Sequence, residues 1–345
     1  MELRISNVPL QDISELEGLY KTLPSATIYQ SPRFAESLKK NAIFDVSYLY
    51  VLENEKILAS LILLIDKKGL VKSLFPKIQW FHGPLLLDNS KVKECYSLVF
   101  EGINTIARKN NTYAIIDVVP PYYFNDNLQN LHEYFLKNNF FADPSATFAI
   151  NLKQDLDTIY SKTDKSCKKN IKNNETNDIK ISKITTEDEV KEYIALLEQF
   201  RKMNNLPLPP LYPTVGLWKD LHDEYLDIFV AKKQNEIISG IGAMKFNGII
   251  FEVAVARSNY EMENKFYPQD SLKWSIISEG KKENMNIYDL GGVSPIPNTD
   301  KEKGIYQFKK KWGGDLYSFF KYSKVQSEHK KSMFEFIKSV RDVVS

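Results

Sequence analysis

The chain has 345 residues, 43% of them hydrophobic, 12% aromatic and 26% charged. That composition excludes long disordered or collagen-like tracts, and the length exceeds one compact core and predicts two globular units. Lysine plus arginine number 46 against 44 acidic residues, a net +2, so the global field selects no polyanionic partner and any attraction to nucleic acid must be local.

Two cysteines and four histidines, at 82, 132, 222 and 329, supply neither a disulfide framework nor zinc-like spacing. The longest strongly apolar run, Ile57–Ile65, has nine residues, against the ~20 that a membrane-spanning helix needs. The opening Met1-Glu2-Leu3-Arg4 leads into mixed, acidic sequence rather than a basic stretch and an apolar core, and a cytoplasmic protein is expected.

In chain order, residues 47–65 read as a hairpin: an aromatic and β-branched strand, the polar turn Glu53-Asn-Glu-Lys56, and a second apolar strand. Val92, Tyr96, Val99, Ile103 and Ile106 recur at helical spacing and predict a helix over 92–109. The strand Tyr113–Val119 follows and is stopped by Pro120-Pro121. A helix over 128–138 precedes a domain join near Asp143-Pro144, and the strand Thr147–Leu152 opens the second half. Helices are then expected over 155–160, 164–174 and 187–204. The four prolines between Leu206 and Pro213 demand extended chain.

The opening plan now repeats. Residues 226–246 form a second hairpin, with Asn-Glu at 235–236 as at 54–55. The strand 249–256, the helix 271–282 and the strand 285–290 follow, the last stopped by Gly291-Gly292. A short helix over 333–344 ends the chain. Strands and helices in this order, twice, imply two related α/β units, and a cleft between such units is a natural ligand site.

The neutral total hides two basic stretches. Residues 161–183 carry seven lysines against three acidic residues, and residues 301–324 carry seven against two, interleaved with Tyr306, Phe308, Trp312 and Tyr317. Lysines among aromatics suit a polyanion such as phosphate or RNA, while a solvated helix face would read the same way. Between them stands Tyr288-Asp-Leu-Gly-Gly-Val, followed by Gly304-Ile-Tyr-Gln-Phe-Lys-Lys-Lys-Trp-Gly-Gly. The glycine pairs 291–292 and 313–314 permit positive φ and close backbone approach, and they bracket Lys309.

This signature resembles that of the FemABX family, the aminoacyl-tRNA-dependent transferases that add amino acids to peptidoglycan precursors. In that family a strand ending in Asp-x-x-Gly precedes Gly-(Leu/Ile)-Tyr-x-Phe-Lys and then an aromatic-Gly pair. Tyr29-Gln-Ser-Pro-Arg-Phe-Ala, Trp80-Phe-His-Gly-Pro-Leu-Leu, Thr147–Leu152 and Lys165-Ser-Cys-Lys-Lys-Asn-Ile-Lys are similar, in order, to further family segments along almost the whole chain. The resemblance implies an α/β (α+β) fold of two tandem GNAT-like acyltransferase domains with a cleft between them. One spans residues 1–145 and is completed by 316–345; the other spans 146–315. The helical arm of larger members is missing, as in the compact type.

By the same resemblance, Lys309 is the catalytic candidate, stabilising an oxyanion or the substrate carbonyl. Tyr306, Phe308, Gly291 and Gly292 are substrate-binding candidates, although Tyr306 and Phe308 alternate as core residues on a strand would. Lys39, with Lys40 beside it, and Arg201 are candidates for the precursor's phosphates, a forked guanidinium being suited to pyrophosphate. Here the chain departs from the family's Thr-x-x-Arg-x-Gly-Phe and reads Phe200-Arg-Lys-Met-Asn-Asn-Leu. Asp289 is expected to cap the strand turn, and Cys167 and His82 to be structural.

The implied partners are aminoacyl-tRNA as co-substrate and a nucleotide- or lipid-linked muropeptide, with no other cofactor and with peripheral membrane contact compatible. One alternative is an acyl-CoA-dependent N-acyltransferase acting on an amino sugar, with acetyl-CoA or another acyl-CoA as donor. The glycine loop that would hold CoA pyrophosphate is absent after Arg257. Another is a non-catalytic RNA- or glycan-binding protein on the same fold.

Overall fold

The computed structural model describes all residues except 68, 208–210, 212 and 345, with residues 338–344 described by their backbone alone. The proline-rich reading of 206–213 falls partly outside the described residues. The chain divides into two compact units, Met1–Pro144 with Phe319–Ser345, and Ser145–Ser318.

The first unit contains β1 (Glu2–Ser6), β2 (Asp45–Glu53), β3 (Lys56–Asp66), β4 (Lys77–Gln79), the two-residue β5 (Leu85–Leu86) and β6 (Ala114–Val118). Their order is β1-β2-β3-β4-β6, with β5 on β3; all pairs are antiparallel except β4 with β6. The strand β7 (Phe141–Asn151) carries the chain from the first unit into the second and includes Asp143-Pro144, where the domain join is expected. The second unit continues with β8 (Lys180–Lys183), β9 (Leu226–Lys233), β10 (Glu236–Phe246), β11 (Ile249–Arg257) and β12 (Ile287–Val293), in the order β7-β12-β11-β10-β9-β8. Finally β13 (Asp315–Val325) pairs with β6 through Tyr322, Lys324 and Val325.

The repeated hairpins form as read, with one difference. Both turns hold two residues of positive φ, the geometry that matches the right-handed strand twist, but these are Asn54-Glu55 in the first and Gln234-Asn235 in the second. The shared Asn-Glu pair is therefore out of step by one residue. A tight turn selects conformation at each position, and asparagine serves at either.

Each unit has its own core. In the first, the helix Val92–Lys109 lays Cys95, Tyr96, Val99, Ile103 and Ile106 against Leu49, Leu61 and Ile115. In the second, Leu272, Ile276 and Ile277 of the helix Pro268–Lys282 meet Phe148, Ile241 and Tyr288. Cys167 is buried in this core, and burial pushes its thiol up to about 12, so no thiolate nucleophile is available there.

His82 is likewise buried, its ring stacked on Tyr29, and burial pushes the imidazole down to about 3. An unfolded chain binds a proton near pH 6.5 that the folded chain refuses until about 3. Stability from this site is thus full above pH 6.5 and is lost as pH falls through that window. His82→Asn, which tolerates the local φ of 54°, should flatten this part of the decline in pH-dependent urea unfolding.

Candidate active site

The motif-bearing segment lies on a strand and a helix. β12 runs through both glycines to Val293 rather than ending at them. Its register against β7 shifts between Asp289 and Gly292, and at this irregularity Gly291 adopts φ +81°. Asp289, 1% exposed, fixes the distortion: its Oδ1 accepts from the Gly291 N–H at 2.7 Å and from the Thr147 hydroxyl. Asp289 is thereby structural, but it holds a distortion within β12 rather than capping a turn at the end of the strand.

The helix Asp300–Lys310 follows, and this corrects the strand expected around Tyr306 and Phe308. Thr299 caps its start, accepting from the Glu302 N–H, while the Glu302 carboxylate accepts from the Thr299 N–H at 2.9 Å. Two residues apart on a helix means nearly opposite faces. Tyr306 accordingly packs into the core, its ring edge-on to Phe148 at 5.1 Å, whereas Phe308 and Lys309 line a cavity. Of the substrate-binding candidates, Tyr306 is thus a packing residue.

The cavity measures about 1010 Å³, and every described lining residue belongs to the second unit. Lys309 Nζ donates to the Gly292 carbonyl at 3.0 Å, so the distorted strand fixes the direction of the lysine. A Cβ on Gly291 would lie 3.2 Å from that Nζ. Gly291→Ala therefore combines a left-handed L-residue, costing about 1–2 kcal/mol, with displacement of the ammonium. Urea unfolding should show that loss, and turnover should fall with it.

Both basic stretches reach this cavity. Lys169 comes from the first, on the helix Lys165–Thr176, and Lys309 and Lys311 from the second; Arg201, Arg257 and Lys265 complete six cations among the described lining, against Glu252 and Asp270. Arg201 lies on the lining, but its Nε and Nη2 donate to the Pro207 carbonyl, and burial lowers its pKa. Lys39 stands apart in the first unit, its Nζ donating to the Asn7 carbonyl at 2.7 Å beside a separate cavity of about 210 Å³ shared with Lys67 and Lys109.

Sequence reading missed the buried charges beneath the lining. Lys273 is completely buried and pairs with Glu252, whose Oε2 also accepts from the Tyr288 hydroxyl at 2.7 Å. Burial, and next the Glu252 charge, hold the Tyr288 hydroxyl well above its ordinary pKa, so it remains a donor. Asp270 pairs with Lys311 at 2.8 Å. Lys311 and Lys273 stand 4.2 and 5.4 Å from the centroid of the Phe308 ring. Two anchored ammonium groups thus fix the ring preceding Lys309. A signal was available for Lys273, a lysine at helical spacing within the apolar stripe of Ile276, Ile277 and Gly280.

Two α/β units built in this order make a tandem GNAT-like acyltransferase fold, and solved structures of that kind match nearly the whole chain. A structure described as FemX covers 96% of this chain and 99% of its own, with TM-score 0.72 at 14% identity. A tandem GNAT protein from the clavulanic acid biosynthesis pathway covers 94% and 99%, with TM-score 0.58 at 10% identity. The C-terminal domain of a putative lysylphosphatidylglycerol synthetase from Agrobacterium fabrum covers 95% and 97%, with TM-score 0.57 at 12% identity.

The FemAB family model matches residues 244–322, the segment that carries Glu252, Gly291, Gly292, Phe308 and Lys309. The FemABX resemblance read from the motifs is borne out by this match together with the FemX-like fold. No curated protein matches the chain. Among the described residues, no helix is long and apolar enough to cross a membrane.

Proposed function

We propose that the protein is a cytoplasmic aminoacyltransferase that moves an amino acid from the 3′ end of a charged tRNA to an amine of a peptidoglycan precursor peptide. The observation that carries this reading is Lys309, aimed by the Gly292 carbonyl into a cavity of predominantly basic lining, within the segment that matches the FemAB family. Phosphates of an RNA end suit Lys169, Arg257 and Lys265, and Arg201 would add its remaining donors.

In the reaction, the neutral acceptor amine attacks the aminoacyl ester carbonyl and a C–N bond forms. The C–O bond to the ribose breaks, the amine gives up a proton, and the ribose oxygen leaves as a hydroxyl. Negative charge gathers on the carbonyl oxygen in between, and an ammonium donor in a partly dehydrated site stabilises it there. The Lys309 ammonium, directed by the Gly292 carbonyl, is the donor assigned to that oxygen. Positioning does the rest, so neither a histidine nor a thiolate is required.

Purified protein incubated with charged tRNAs and such a muropeptide should form a labelled aminoacyl product, at a rate that falls steeply with added salt. Transfer from acetyl-CoA, with none from any charged tRNA, would replace this reading by that of an acyl-CoA-dependent N-acyltransferase.

A further inference from the structure

We propose that the inner wall of the second unit's cavity binds the free α-ammonium of the transferred aminoacyl group on the carboxylate of Glu252, an inference that rests on the aminoacyl reading above. The lining is divided by charge. Its surplus of cations suits the phosphates of the donor, whereas its two carboxylates, on Glu252 and Asp270, are among its most buried groups, their side chains 6% and 1% exposed. A ligand anionic at one end and cationic at the other fits that division.

Of the two carboxylates, Glu252 is the one with capacity open to the cavity. Asp270 is closed off: its Oδ1 is buried and only ion-paired, 2.8 Å from Lys311, and its Oδ2 accepts from Lys311 at 3.0 Å and Asn170 at 2.8 Å. Glu252 takes Lys273 and Tyr288 on Oε2 alone, and its Oε1 accepts no hydrogen bond from the described residues. A carboxylate has about four acceptor sites. One oxygen therefore fixes the group in the protein, and the other is available to the cavity that Glu252 lines.

The position suits the chemistry. A Cβ built on Gly291 would lie 3.2 Å from Lys309 Nζ and 3.9 Å from the Glu252 carbonyl oxygen, so the lysine and the Glu252 backbone flank a single small group. In an aminoacyl ester the α-nitrogen is two bonds, roughly 2.5 Å, from the carbonyl carbon. An ester whose carbonyl oxygen meets Lys309 thus presents its ammonium within a side-chain length of the Glu252 strand. Removing an ammonium from water is costly unless a carboxylate receives it. A donor that lacks the amine would leave Glu252 Oε1 unpaired, a penalty that a site built for hydrogen bonding converts into specificity.

The test compares two donors differing only at that nitrogen. One is the aminoacyl-tRNA the protein accepts, and the other is the same tRNA deaminated with nitrous acid to the α-hydroxyacyl ester, each with the muropeptide acceptor. The wild-type protein should prefer the free amine at least about tenfold in kcat/KM. In Glu252→Gln/Lys273→Met, which removes the two buried charges together, the ratio of the two donors' kcat/KM should collapse towards unity, whatever the change in absolute rate, because both donors meet the same variant.

Equal rates in the wild type, or an undiminished preference in the double variant, would overturn the assignment. Absence of transfer from both donors would instead refute the aminoacyl reading on which it stands. Calorimetric binding of a non-hydrolysable 3′-aminoacylamido-adenosine and of its α-hydroxyacyl counterpart to the wild-type protein reads the same preference without turnover or a variant. Equal affinities there would overturn the proposal as well.

Discussion

Lys309→Ala is expected to lower aminoacyl transfer by about two to three orders of magnitude, the scale on which removal of one oxyanion donor acts, while the folded state keeps its stability to within about 1 kcal/mol. The second expectation follows from where the side chain lies. Lys309 lies in the last turn of a helix whose start is fixed seven to ten residues earlier by Thr299 and Glu302, and it projects into a cavity rather than into the core. Its bond to the Gly292 carbonyl, at 3.0 Å, is on the cavity side, where water can replace it.

Lys309→Arg separates position from charge. The guanidinium keeps the charge but spreads its donors over a planar fork that the point-like ammonium does not need, so it should restore only part of the rate. Steady-state kinetics with a saturating acceptor, beside urea unfolding of the same samples, checks both halves. A variant retaining full turnover would remove the role assigned to Lys309.

What the sequence disclosed and what it withheld have physical reasons. The two hairpins were legible because period-two alternation and a two-residue turn are local signals. The pairing of β6 with β13, whose partners lie about 200 residues apart, has no local signature. At Gly291-Gly292, glycine was read as an end of strand, but the strand continues, because Asp289 and Thr147 hold the distortion open from the neighbouring backbone. Helix 300–310 is announced by the Thr299 and Glu302 capping box, and only the helical period separates Tyr306 from Phe308, which alternation as a strand would place on one face.

The lysine content of residues 161–183 and 301–324 was visible, but the convergence of Lys169, Lys309 and Lys311 on one cavity depends on how the second unit packs. Arg201 shows the opposite limit. Its residue type suggested a phosphate clamp, yet Nε and Nη2 are both directed at a backbone carbonyl six residues away.

Lys273→Met should be the most destabilising single change at the site, by about 3–5 kcal/mol, because it leaves the Glu252 carboxylate buried without its counter-charge. Lys273 is 0% exposed and Glu252 6% exposed, so little water is available to replace the lost partner. Tyr288 still donates to Glu252 but carries no charge, and its ring is held in the core by Ile250 and Leu290. Adding Glu252→Gln to Lys273→Met removes the orphaned charge and keeps a side chain of the same shape that can accept from Tyr288, so most of the lost stability should return.

Urea unfolding of the two single variants and the double variant closes the cycle, and the coupling energy is the quantity to read. Additive losses would mean that the two charges are independently solvated and that the pair does not organise the floor of the cavity. Strong coupling would show why a lysine is kept in the apolar stripe of a helix: with Glu252 it forms a fixed charged pair beneath Phe308, at 5.4 Å from the ring centroid, from which the ring and the adjacent Lys309 take their place.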